Sequence, residues 1–269
     1  MKIKKLRLLL FFVSSLLFLV ITPVSNASDQ QLPIFLKIND YYVLYTDPIS
    51  PFIDSNNKIV MPIRIFSELI GAGIAYDKKS CSAEIGFSGH KVRYTVGSDV
   101  AFFDGIPEKI PSITVLKKNS ILVPISSVVN FFQISNTWDK ENRLFIINDP
   151  RIKNIYMEAF EGAFIADDYL YNKIIPLSYN FCTIKDQTAL QITAKNISGS
   201  VIPEFREDLH PLYIYKDGGW GTEPRSSTAR HRVKINNNQV FKITDANTFD
   251  FKNIKVILVS GRILKYDIF

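Results

Sequence analysis

The feature that most restricts the fold is an internal match at one constant offset. Val60–Ile85, VMPIRIFSELIGAGIAYDKKSCSAEI, recurs without a gap as Leu122–Ile147, LVPISSVVNFFQISNTWDKENRLFII. Pro62 and Pro124, Tyr76 and Trp138, Asp77 and Asp139, Lys78 and Lys140, and Ile85 and Ile147 are all 62 residues apart. Agreement across several residue types at one spacing marks a duplicated supersecondary unit. Proline lacks the amide hydrogen that the first residue of a helix would leave unbonded anyway, so Pro62 and Pro124 mark helix starts. Ile63, Phe66, Leu69 and Ile70 then recur at helical spacing in the first unit, and Ile125, Val128, Val129 and Phe132 in the second, which predicts one buried face per helix. Gly71 predicts a left-handed cap on the first helix. Gln133, in the matching position, adopts that conformation less cheaply, so the second helix is expected to end differently. A short strand closing on Tyr76-Asp77 or Trp138-Asp139, a polar turn, and a second strand to Ile85 or Ile147 complete each unit.

Between the units, His90–Val96 alternates, with Val92, Tyr94 and Val96 on one face and Lys91, Arg93 and Thr95 on the other, as a half-solvated strand does. Asp104-Gly105 supplies a turn after Phe102-Phe103. Leu36–Ile38 and Tyr42–Leu44 read as strands ahead of the first unit. Residues 32–149 are therefore expected to form an α+β domain of two helix-plus-hairpin repeats with short antiparallel strands. Asn148-Asp149-Pro150 reads as the linker to a second domain, residues 150–269. Within it, 152–171 is compatible with a helix or with a hairpin turning at Asp167-Asp168. From Leu190 onward, alternating apolar pairs separated by turn clusters predict an antiparallel, sandwich-like β domain, in which the run LQITAKNIS resembles bacterial immunoglobulin-like or protease-inhibitor-type sandwiches.

The runs VMPIR at Val60–Arg64, SELIGAGIAYD at Ser67–Asp77, VGSDVAFFDG at Val96–Gly105, LVPISSV at Leu122–Val128 and TWD at Thr137–Asp139 resemble the copper amine oxidase N-terminal-like domain, a stalk-type module common in exported proteins of Gram-positive bacteria. Two departures stand in the second unit: Ser126 replaces the arginine expected from Arg64, and Asn130 stands where the first unit has Glu68. The resemblance implies no oxidase chemistry, which resides elsewhere in such enzymes and needs three histidine ligands and a tyrosine-derived quinone. The histidines here are His90, His210 and His231, with no spacing that places two on one face. No metal and no cofactor is expected.

Residues 1–27 read as a signal peptide: Lys2, Lys4, Lys5 and Arg7 precede an apolar run from Leu8 to Ile21, then Pro23, with Ser25 and Ala27 as the small residues before a cut. The expected location is therefore secreted or envelope-associated, with membrane contact only through this segment before cleavage. Without it, 28 Lys and Arg stand against 26 Asp and Glu, too small an excess to predict nucleic acid as a partner. Cys81 and Cys182 are expected to be two buried free thiols.

Two clusters are candidate sites. Lys216–Arg232, KDGGWGTEPRSSTARHR, carries Trp220, which could stack on a sugar ring, and Arg225, Arg230, His231 and Arg232, which could hold a phosphate or carboxylate polymer; the alternative is a solvated hairpin loop. Glu158, Glu161, Asp167 and Asp168 could pair carboxylates for glycoside cleavage or simply form an acidic surface. Arg64 and Glu68, four apart on a helix, predict a surface ion pair. The reading is a non-enzymatic, exported envelope protein that binds a cell-wall polymer or an extracellular protein. A carbohydrate hydrolase using carboxylates near 158–168 and a protease-inhibitor-like module are the alternatives.

Overall fold

A computed structural model describes residues 34–162, 168–184, 187–222, 233–246 and 251–266. The chain falls into two units, Met1–Leu32 and Pro33–Phe269, and every described residue belongs to the second. The expected signal peptide lies outside the described residues. The order begins with β1 (Phe35–Ile38), β2 (Tyr41–Thr46), β3 (Phe52–Ile53), β4 (Ile59–Pro62), α1 (Ile63–Ile70), β5 (Gly73–Asp77), β6 (Ser82–Phe87), β7 (His90–Thr95), β8 (Val100–Phe103) and β9 (Ile106–Lys109). It continues with β10 (Val115–Lys117), β11 (Ser120–Pro124), α2 (Ile125–Phe131), β12 (Ser135–Asp139), β13 (Leu144–Asn148) and α3 (Ile155–Gly162). The last strands are β14 (Tyr169–Leu170), β15 (Ile174–Ile184), β16 (Gln187–Asn196), β17 (Glu207–Tyr215), β18 (Trp220–Gly221), β19 (Val240–Ala246) and β20 (Ile254–Leu264). The described fold is mostly β, with α-helices packed on it.

Both helices expected after a proline begin on the next residue, Ile63 and Ile125, and bury the predicted apolar face. Gly71 caps α1 with φ 71°, its N–H bonding to the Glu68 carbonyl while that of Ala72 reaches Ser67. Contrary to expectation, α2 ends the same way. Gln133 takes the left-handed conformation at φ 53°, its N–H bonds to Asn130, and that of Ile134 bonds to Val129. The two hydrogen bonds and the buried Ile134 hold the glutamine in a conformation its Cβ disfavours.

The alternatives for 152–171 resolve into α3 followed by the short β14, with 163–167 outside the described residues. Asn154 explains why a helix starts there. Its Oδ1 accepts from the N–H groups of Tyr156 and Met157, as an N-cap should, and its Nδ2 donates to the Glu68 carbonyl at the far end of α1. One side chain thus serves two helix ends.

Among the described residues the strands form four sheets. The largest runs β12-β13-β1-β2-β20-β17-β18, with β14 also on β20; β1 and β13 are parallel. The others are β5-β6-β7-β8-β9, β10-β11-β4-β3 and β15-β16-β19. In the second of these, β4 and β11 pair so that Met61 faces Val123, residues separated by the 62-residue offset.

The large sheet is the middle layer. Leu36, Ile38, Tyr41, Val43, Leu212, Ile214, Val256 and Leu258 face a core shared with the three helices and the five-stranded sheet. Phe35, Tyr42, Leu44, Leu209, Tyr213, Ile257 and Val259 face a second core shared with β15, β16 and β19. Successive side chains of a strand point to opposite faces, so strands this apolar on both faces need cover on both. The segments on either side of the boundary expected at Asn148–Pro150, 32–149 and 150–269, share this sheet within the compact unit Pro33–Phe269. β2 from the first half pairs with β20 from the second, Tyr41 opposite Ser260 and Val43 opposite Leu258. The sandwich expected after residue 150 borrows one of its sheets from before it. None of the described helices is long and apolar enough to cross a membrane.

Candidate functional site

An open hollow of about 330 Å³ lies where α1, the β5–β6 hairpin and the β10–β11 hairpin meet. Arg64, Tyr76, Lys78, Cys81 and Leu116 line it, among others. A neighbouring hollow of about 290 Å³ shares Arg64 and Ser120 and adds Asp47, Lys216 and Lys255. Arg64 lines both hollows, together termed the groove. Arg64 is exposed in the first turn of α1, and its guanidinium lies over the Tyr76 ring, 4.5 Å from the centroid. Burial pushes the Tyr76 hydroxyl pKa up, and the adjacent Arg64 only partly offsets this.

The expected Arg64–Glu68 ion pair is not formed. Glu68 turns instead to the ammonium of Lys255 on β20, a partner that only the tertiary fold supplies. Among the described residues Arg64 makes no ion pair, and its guanidinium lines the groove over Tyr76. Lys216, by contrast, pairs with Asp47 at 3.1 Å. Both cysteines are free, as expected, but Cys81 is exposed on the groove wall and Cys182 is half-buried, so the expectation that both are buried fails. Cys81 occupies the tight turn between β5 and β6 with φ 48°, its Sγ donating to the Lys78 carbonyl at 3.7 Å.

The other sequence candidates fall elsewhere. Trp220 begins the short β18 opposite Ile214 and is 37% exposed. Arg225, Arg230, His231 and Arg232 lie outside the described residues, as does Asp167. Glu158 is exposed on α3. Glu161 is occupied by two phenols: Tyr41 donates to one carboxylate oxygen, and Tyr171 donates to the other at 2.8 Å. Asp168 accepts the Lys265 N–H at its backbone carbonyl, 2.8 Å away. His90 is exposed and bound to Asp104 at 2.7 Å. Among the described residues no three His, Cys, Asp or Glu side chains are grouped to hold a metal ion.

Sequence reasoning missed a buried charged cluster on the middle sheet. Asp208 on β17 lies directly across from Arg262 on β20, and His210 across from Ser260. Arg262 Nε donates to Asp208 at 2.6 Å, His210 Nδ1 lies 3.4 Å from the same carboxylate, and the guanidinium is stacked between the rings of Tyr169, at 3.9 Å, and Phe160, at 4.9 Å. All three charged or titratable side chains are closed to solvent. Burial opposes ionisation of Asp208, but the hydrogen bond from His210 and the nearby Arg262 charge hold its carboxyl well below the usual range. The signal available in the sequence was the Asp-x-His spacing of residues 208 and 210, which places both on one face of a strand. Sealed from solvent and gripping Phe160, this cluster fastens α3 to the sheet; the solvent-open cation that makes no ion pair among the described residues is Arg64.

No curated protein matches the chain. A family model does match part of it, and its limits coincide with a structural closure: Lys37 in β1 and Ile147 in β13 sit on adjacent parallel strands, Lys37 beside Ile146 and Ile38 beside Ile147. The segment so enclosed, residues 37–147, matches the copper amine oxidase N-terminal domain family.

Proposed function

We propose that the protein is an exported, non-enzymatic binding protein of the cell envelope, and that the groove centred on Arg64 is its recognition surface for an anionic group of a cell-wall polymer or an extracellular protein. The observation that carries this reading is Arg64 itself, stacked on Tyr76, open to solvent and without a carboxylate partner among the described residues. Guanidinium presents paired donors that match carboxylate and phosphate, and an ammonium does not. Export rests on the basic and apolar N-terminal segment.

In this reading the matched segment is a duplicated strand–helix–hairpin unit. Support comes from the helix starts at Ile63 and Ile125, the like caps at Gly71 and Gln133, and the pairing of Met61 with Val123, all at the 62-residue offset. The copies have diverged in use: Ser126 stands where the first has Arg64. The test is co-sedimentation of the purified protein with purified Gram-positive cell walls, for wild type, Arg64→Ala and Trp220→Ala. Loss of one hydrogen-bonded charge contact should weaken retention about tenfold in Arg64→Ala. Equal retention of wild type and Arg64→Ala refutes the groove, and a loss confined to Trp220→Ala moves recognition to the 216–232 loop.

A further inference from the structure

We infer that the occupant of this groove is an extended peptide segment, which adds as a strand to the free edge of β5 and seats a carboxylate on Arg64. The inference rests on the groove being the recognition surface and narrows its partner to a protein. β5 ends the five-stranded sheet and β10 ends the four-stranded sheet, so each has a strand neighbour on one side only among the described residues. Both contribute to the groove lining. Sheet edges are usually blunted by proline, lysine or inward charges. β5, Gly-Ile-Ala-Tyr-Asp, has none of these within it, and Asp77 at its end is turned to Ser80 and the Lys79 N–H.

An exposed edge is the receptor for strand addition, in which main-chain hydrogen bonds give affinity and flanking pockets read alternate side chains. The apolar walls are present: Tyr76 is 39% exposed and Leu116 56% exposed. A sugar is the weaker fit, because stacking needs an open aromatic face and one face of Tyr76 is covered by the Arg64 guanidinium. That same guanidinium needs an anion, and a side-chain or terminal carboxylate supplies one in the plane of its donors.

The molecule carries its own control. β12 is also an end strand, and Trp138, the counterpart of Tyr76, is 37% exposed. The groove-side cation is missing there, because Ser126 replaces Arg64. Strand addition directed by a carboxylate is therefore expected at β5 and not at β12.

A displayed library of randomised eight-residue peptides, panned on the purified protein and on Arg64→Ala, tests this. Enriched sequences should alternate apolar or β-branched residues and carry Asp, Glu or a free C-terminus at a fixed place. For a synthetic enriched peptide, Arg64→Ala or replacement of its acidic residue by the amide should each weaken binding about tenfold, while Trp138→Ala changes it by less than about twofold. Amides of residues 73–77 should gain hydrogen-exchange protection on binding and those of 135–139 should not. Enrichment indifferent to Arg64→Ala, or protection at 135–139, overturns the inference. If polyglycerol phosphate or a uronate oligosaccharide binds in an Arg64-dependent way and no peptide does, strand addition falls and the groove stands. If no probe shows Arg64 dependence, both fall. Urea midpoints of the variants confirm that each is folded.

Discussion

Gly71 and Gln133 offer a matched pair of perturbations with opposite signs. Both hold the left-handed conformation that ends a helix, at φ 71° and 53°. A residue with a Cβ is disfavoured there by roughly 1–2 kcal/mol, and glycine gives back about 0.4–1 kcal/mol through its freer unfolded chain. Gln133→Gly is therefore expected to stabilise by up to about 1 kcal/mol. Gly71→Ala incurs the same conformational loss and a second one: an ideal Cβ would sit 2.2 Å from the carbonyl oxygen of Lys153. That oxygen is backbone, next to the Asn154 that bonds the α1 carbonyls, so it cannot withdraw without loosening the joint between α1 and α3. The combined destabilisation should be about 2–4 kcal/mol, conformational strain plus overpacking. Gly71→Asn separates the two parts, since asparagine tolerates the left-handed conformation but still carries a Cβ. Urea unfolding monitored by circular dichroism gives all three midpoints. If Gly71→Ala and Gln133→Gly prove equal and opposite, the close approach of Lys153 is not a real constraint; if Gln133→Gly lowers the midpoint, the assignment of a left-handed cap to α2 is wrong.

The buried cluster yields the other predictions. Asp208→Asn removes a counter-charge that bonds the buried Arg262 and should cost about 3–5 kcal/mol, whereas Asp208→Leu combined with Arg262→Met should recover much of that; the comparison is a urea titration of both variants. Because the folded-state pKa of Asp208 is held below its unfolded value, its contribution is fully present above about pH 4 and is lost as the pH falls toward the folded value. The acid limb of the stability curve should accordingly be shallower in Asp208→Asn than in wild type. At the alkaline end, burial first and the Glu161 hydrogen bond second push the Tyr171 hydroxyl up to about 12. A raised pKa contributes stability below the unfolded value, about 10, and loses it as the pH rises to about 12. Ultraviolet titration of Glu161→Gln should show Tyr171 ionising earlier than in wild type, and an unchanged curve would exclude the hydrogen bond. Asn154→Ala removes both a helix N-cap and the bond to α1, and should lower stability by about 1–3 kcal/mol in calorimetry.

Local patterns were legible in the sequence and long-range partners were not. Pro62 and Pro124 announced the two helices, and the alternation from His90 to Val96 gave the buried Val92 and Tyr94 of β7. Alternation tells which residues share a face, but not which strand lies alongside, and this hid the pairing of β2 with β20. The clue that remained was the apolar character of both faces of Phe35–Leu44, which a sheet with one solvated side cannot accommodate. Arg64 was misjudged because helical i,i+4 pairs are worth only a few tenths of a kcal/mol, and a cation over an aromatic ring is worth about as much or more. Tyr76 and Lys255, brought in by the fold, took the two partners apart. Asp208 and Arg262 were invisible as a pair because 54 residues separate them along the chain.

The placement of β20 between β2 and β17 governs how the molecule can assemble. Tyr41 must wait for Ser260, more than two hundred residues later, before its strand gains a second neighbour. Loop closure over that distance is entropically unfavourable until the contacts it enables have formed, and folds dominated by such pairings form slowly. The segment matched by the family model is thus unable to finish its own sheet. Within that segment β2 is the end strand, and it remains an open edge during synthesis until β20 has emerged.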